Sequence, residues 1–175
     1  LFLGTQDASL ARAIDRLGEI SYTRVRYLYQ SYWYHVFFAR AGDKALSYKE
    51  PLLVVSWKNG RKHEKEQIPD SKMGRDTLNK LLDIRRIFMS RAGGKGDDPM
   101  GIMPYLLFAV DTMIHAARKL MILGPNGTVT PLSRRKLIVE MKALRNRFIR
   151  LWMARNRKSE IRIVLGKYRK ALASL

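Results

Sequence analysis

The chain contains no cysteine. Its absence removes a disulfide framework and any thiolate metal site together. Histidine is scarce too, and His35, His63 and His115 show no paired ligand spacing, so no cofactor or metal is expected. Long hydrophobic runs are also missing. The longest, Ile102 to Val110, is interrupted by Pro104 and stopped by Asp111, about half of the ~20 residues a membrane span needs. A membrane span is therefore not expected. The opening residues lack the basic start, apolar run and small-residue cleavage site of a signal peptide, and the chain starts on Leu1, which reads as a processed or excised chain. A cysteine-free composition is compatible with a reducing setting, such as the mitochondrial matrix or the cytoplasm.

Acidic residues are the other shortage. Lys and Arg number 34 against 15 Asp and Glu, for a net charge of +19 and a pI of about 10.6. Self-repulsion of that size destabilises a compact chain unless counterions or a polyanion relieve it, so RNA is the first expected partner and an anionic membrane surface the second. The imbalance is concentrated at the end of the chain: residues 131–175 carry 14 basic and 2 acidic side chains.

What is present suffices for a core. The chain has 175 residues, 46% of them hydrophobic, and the expected organisation is one domain over 1–175. Periodicity predicts a mainly α fold: a bundle of about five to six helices with a small β-hairpin or loop excursion near residues 46–68. Asp7 caps a first helix that ends at about Leu17, with Gly18 supplying the left-handed residue. Eight of seventeen aromatics fall between Tyr22 and Phe38 and make several helical faces apolar, the pattern of a helix in the centre of a bundle. Leu52 to Trp57 reads as a strand, and Asn59-Gly60 as a tight turn into a polar run. Pro69-Asp70-Ser71 opens a helix to about Ala92, and a fourth runs from about Pro104 to Leu123. Thr130-Pro131 opens a fifth, in which Leu137, Met141, Leu144, Phe148 and Leu151 step by four and three along one seam. Ile161, Leu165, Tyr168 and Leu172 repeat that spacing in a last helix.

The opposite side of these two terminal helices is the leading candidate for binding. At 100° per residue, Arg135, Lys136, Lys142, Arg147, Arg150 and Arg157 point away from the seam, followed by Lys158, Lys167 and Lys170. Arginine outnumbers lysine, and guanidinium groups fork onto phosphate oxygens. Other candidates have simpler explanations. Tyr27, Tyr29, Tyr32, Trp33 and Tyr34 could stack on bases, but core packing accounts for them. The glycines and Lys95 between Gly93 and Asp98 lack the spacing of a phosphate-binding loop, and Asp97-Asp98 is a thin basis for a cation site. His115 reads as a hydrogen-bonded core residue, and Asn126-Gly127-Thr128 as a turn. No serine, cysteine or lysine shows the partnered base of a nucleophile, so no catalytic residue is expected.

The segment Arg150-Leu151-Trp152-Met153-Ala154-Arg155-Asn156-Arg157-Lys158-Ser159-Glu160-Ile161 resembles the C-terminal helical region of bacterial family-20 glycoside hydrolases, the β-N-acetylhexosaminidases, and the similarity extends back through residue 105. Lys158 stands where that region usually has a proline. The resemblance implies an accessory helical module without activity, because this chain has neither the family's Asp-Glu dipeptide nor the length for its barrel. Two readings follow. In the first, a basic helical protein docks on RNA, plausibly rRNA, or another polyanion beside neighbouring protein subunits, as in an organellar ribosome. In the alternative, it is an accessory domain of a larger glycoside hydrolase; a membrane-surface or protein-scaffold role is a third option.

Overall fold

A computed structural model describes residues 7–25, 31–47, 49–58, 61–92, 101–156 and 161–175, apart from the side chains of residues 24, 25, 57 and 58. Helix α1 (Ala8–Ser21) starts where expected: the Asp7 carboxylate accepts hydrogen bonds from the amides of Ser9 at 2.8 Å and Leu10 at 3.3 Å. It does not stop at Gly18. The helix continues for another turn because Ile20 packs on the core and the Ser21 hydroxyl returns to the Leu17 carbonyl at 2.8 Å. Gly18 is therefore an ordinary helical residue.

The aromatic segment also differs from expectation. Rather than one helix over 22–38, it gives a short strand β1 (Arg24–Val25) and a two-turn helix α2 (Tyr32–Phe38). Pairing supplies the reason: β1 lies antiparallel to β2 (Leu52–Lys58), with Arg24 opposite Leu53, and the backbone is extended where a helix was expected. A single turn of 3₁₀ helix, Lys44–Leu46, sits between α2 and β2. Strand β3 (Arg61–Gln67) pairs with the other edge of β2, giving a three-stranded order β1-β2-β3. Asn59-Gly60 lies outside the described residues, although Lys58 and Arg61 on either side of it are paired. β2 buries Leu52 and Val55, whereas residues 61–66 of β3 are exposed, so the hairpin uses one strand for the core and one for solvent.

Four more helices complete the described fold: α3 (Ser71–Arg91), α4 (Met103–Leu123), α5 (Pro131–Met153) and α6 (Ile161–Ala173). Asp70 caps α3 through the Met73 amide, and Thr130 forms a reciprocal box with Ser133 at the start of α5. The centre of the bundle is α4, not the aromatic helix. Met103, Leu107, Val110, Ile114 and Ala117 are buried along one stripe of α4, and Met113, Ala116 and Leu120 bury a second face beside it. Gly74 on α3 lets the two backbones meet closely, since a Cβ there would stand 2.8 Å from the Ala117 carbonyl oxygen. α2 packs from the other side, where Phe37, Phe38 and Tyr168 of α6 form edge-to-face pairs at 4.8 to 5.5 Å. Buried residues from all six helices and β2 belong to one hydrophobic cluster. Among the described residues no helix is long and apolar enough to cross a membrane.

Candidate nucleic-acid interface

The expected seam on α5 is real at its start: Leu137, Met141 and Leu144 are buried against the bundle. Phe148 continues it half-buried among Phe108, Trp152 and Tyr168, with ring centroids 5.5 to 6.1 Å away. A helix that buries this stripe must turn its remaining faces outward. Arg134, Arg135, Lys136, Lys142 and Arg150 are accordingly exposed, as are Arg162, Lys167, Arg169 and Lys170 on α6. Arg157 and Lys158 lie outside the described residues. Glu140 is the one carboxylate that either helix carries, and it is turned inward to Arg118 and His115. The outer side of both helices thus carries cations and no carboxylate along its described length. Large apolar side chains interrupt it at Leu132, 77% exposed, Val139, 59%, and Ile163, 74%.

Two of the expected contact residues are held differently. Arg147 is half-buried and turned toward α4 rather than outward: its guanidinium pairs with Asp111 at 2.6 Å, donates to the Pro104 carbonyl at 3.0 Å and lies 5.8 Å from the Phe108 ring. Arg147 lies three places after buried Leu144 and directly before half-buried Phe148, so it falls on the flank of the seam rather than opposite it. Lys167 is exposed but tethered, donating to the Tyr34 hydroxyl at 2.6 Å while lying over the Tyr34 and Phe38 rings. Tyr32, Trp33 and Phe37 are core residues; Tyr27 and Tyr29 lie outside the described residues, as does the Gly93–Asp98 loop. Of Asn126-Gly127-Thr128 only the start belongs to a turn, which spans Gly124 to Gly127, with Asn126 at φ 60° and the Gly127 amide donating to the Gly124 carbonyl at 2.9 Å.

A second cationic feature is a groove of about 470 Å³ between α3, α4 and α5. Its polar lining obeys a simple rule. On α4 Asp111 precedes Arg118 by seven residues, and on α5 Glu140 precedes Arg147 by seven. Seven residues is two helical turns, so acid and arginine share a face of each helix. The helices run antiparallel, and the acid of each therefore meets the arginine of the other: Asp111 with Arg147 and Glu140 with Arg118, both at 2.6 Å. Arg85 of α3 adds a second guanidinium to Asp111 at 2.6 Å, and Arg150 stands at the rim. Composition and charge runs did not reveal this site; the matched seven-residue spacing on two adjacent helices was the available signal.

At the base of the groove His115 is 1% exposed, with Nδ1 3.4 Å from Glu140 Oε2. Burial holds its imidazole below the ordinary histidine pKa, against the upward pull of Glu140. Burial also pushes the Glu140 carboxyl up, but the His115 hydrogen bond and the Arg118 charge outweigh it and leave it below the usual carboxylate value. Glu140 is therefore the acceptor and a neutral His115 the donor. One turn further along α4, Lys119 is 0% exposed and donates to the carbonyls of Phe37 and Ala39 at 2.8 Å each, closing the C-terminal end of α2. Burial pulls its pKa from 10.5 down to about 7, and Asp43 opposes that shift. No group of three or more histidine, aspartate or glutamate residues among those described could hold a metal ion. No family model, no curated protein and no solved structure matches the chain.

Proposed function

We propose that this chain is a non-catalytic, basic helical protein that binds RNA or another polyanion, as a structural component of a large ribonucleoprotein such as an organellar ribosome. One observation carries the reading. The described exposed surface of α5 and α6 bears arginine and lysine with no interleaved carboxylate, because the sole described acid on those helices is withdrawn into the groove. An ordinary solvated helix face alternates signs; this one keeps a repulsion that phosphates relieve. The contact set supported by this placement is Arg135, Lys136, Lys142 and Lys170, with Lys167 held by Tyr34 beside it, whereas Arg150 lines the groove between α3, α4 and α5. Exposed Leu132, Val139 and Ile163 lie on the same helices and suit contact with a neighbouring protein subunit.

The test is RNA affinity as a function of salt. Binding through phosphates falls steeply between low and physiological ionic strength, with a logarithmic slope of about −0.7 to −0.9 per phosphate contacted. The combined Arg135→Gln, Lys136→Gln and Lys142→Gln variant is expected to bind more weakly and to reduce the slope by about 2 to 3. Salt-insensitive binding, or an unchanged slope in the variant, contradicts the reading. Co-migration of the native protein with a nuclease-sensitive particle tests the assembly itself.

A further inference from the structure

We propose that the groove between α3, α4 and α5 is a second anion site, separate from the outer face, and that it takes a phosphate monoester, the group shared by a free mononucleotide and the terminal phosphate of an RNA strand. Three helices bring four guanidinium groups to it: Arg85, Arg118, Arg147 and Arg150. Two of these are explained by architecture, since Arg118 and Arg147 make the reciprocal ion pairs that fix α4 against α5. The other two are surplus. Arg85 shares an Asp111 already paired with Arg147, and Arg150 meets no carboxylate among the described residues. With two carboxylates against four guanidinium groups, the groove keeps two positive charges, which matches a phosphate monoester dianion.

Hydrogen-bond capacity gives the same answer as charge. Each guanidinium has five N–H donors. Arg85 and Arg118 each use one on a carboxylate, and Arg147 uses one on Asp111 and another on the Pro104 carbonyl. Both oxygens of Asp111 and both of Glu140 are engaged by partners already described. The groove is consequently rich in donors, with the buried Nε2 of His115 the unengaged acceptor among its described lining, the reverse of a cation site and the requirement of a phosphate with its three terminal oxygens. Its volume of about 470 Å³ suits a small organic ligand. Leu82, Ile114 and Leu144 supply an apolar wall on which a base or other organic group can lie.

The site is independent of the outer-face reading, and one set of titrations separates them. The full chain is titrated calorimetrically at low ionic strength with adenosine 5′-monophosphate and with adenosine. Two short oligoribonucleotides that differ only in a 5′-phosphate are compared by fluorescence anisotropy. The nucleotide is expected to bind at least about tenfold more tightly than the nucleoside, and Arg150→Gln to weaken it by about tenfold, the loss of charge-assisted hydrogen bonds. Arg150 is exposed and outside the architectural pairs, so this variant retains the fold. The outer-face variant at positions 135, 136 and 142 is expected to leave the nucleotide affinity unchanged. Preference for the phosphorylated oligonucleotide identifies an RNA end as the source; equal affinity for the two oligonucleotides, with the nucleotide still bound, identifies a free nucleotide. If nucleotide and nucleoside bind alike, or if Arg150→Gln has no effect, the groove is not a phosphate site, whatever the outer face does.

Discussion

Lys119→Met separates the two opposing consequences of burying a lysine. The side chain is 0% exposed, its pKa is about 7 instead of 10.5, and its amine closes two carbonyls at the end of α2. A base with a depressed folded-state pKa is protonated more fully in the unfolded chain at every pH between the two values. Stability therefore rises with pH across that window. At pH 7 nearly all unfolded molecules carry the proton but only about half of the folded ones do, a mismatch that costs the folded state about 4 kcal/mol relative to an uncharged side chain. By pH 10 the same bookkeeping leaves about 1 kcal/mol. Methionine has similar bulk and no proton, so it removes this pH dependence while forfeiting two hydrogen bonds, a loss of about 1 to 3 kcal/mol per carbonyl left unmade. Urea unfolding of both proteins at pH 7, 8, 9 and 10 reads the difference directly. The stability of the lysine protein relative to the variant is expected to increase by about 3 kcal/mol from pH 7 to pH 10. Burial raises the pKa of Tyr32 and Tyr168, which lowers stability at high pH, but equally in both proteins, so it cancels. Parallel curves would show that the two carbonyls hold Lys119 fully charged, and would refute the assignment of burial as the controlling cause.

Gly74→Ala is expected to lower stability by about 1 to 3 kcal/mol despite alanine's better helix propensity, because its Cβ meets the Ala117 carbonyl oxygen at 2.8 Å; a thermal melt at neutral pH checks it. Asp111→Asn removes the charge shared by Arg85 and Arg147. The expected cost is about 1 to 3 kcal/mol, and a double-mutant cycle with Arg147→Met should show strong coupling between the two positions, whereas a cycle with Arg135→Met should be additive. Thr130→Ala breaks the capping box of α5 and is expected to cost about 1 kcal/mol by denaturant titration, with serine in its place restoring most of the loss.

How much of this was legible in the residues follows from the range of the forces involved. Helix starts at Asp7, Asp70 and Thr130 were readable because a cap is settled within three residues of itself. The stripe of Leu137, Met141 and Leu144 was readable because burial imposes the helical period on the sequence. The end of α1 was not, since Gly18 continues the helix only because Ile20 finds the core. Nor was the break in the aromatic segment, where a two-residue pairing with Leu52 and Leu53 outweighs a run of helix-compatible side chains. The exposure of Arg135, Lys136, Lys142, Arg150, Lys167 and Lys170 followed from the 100° projection, that of Arg147 did not because its partner Asp111 is 36 residues away, and Arg157 and Lys158 lie outside the described residues.

Local chemistry in the sequence thus determined the capped starts of α1, α3 and α5, the apolar stripe of α5, the net charge of +19 and the concentration of that charge toward the end of the chain. Only the tertiary structure decided which cations remain in solvent, which are spent on Asp111 and Glu140, and that four arginines from three helices share one groove. The reason is physical. A cap or an amphipathic stripe is fixed by neighbours a few residues apart, whereas an ion pair or a groove depends on the relative placement of separate elements, which no single segment encodes.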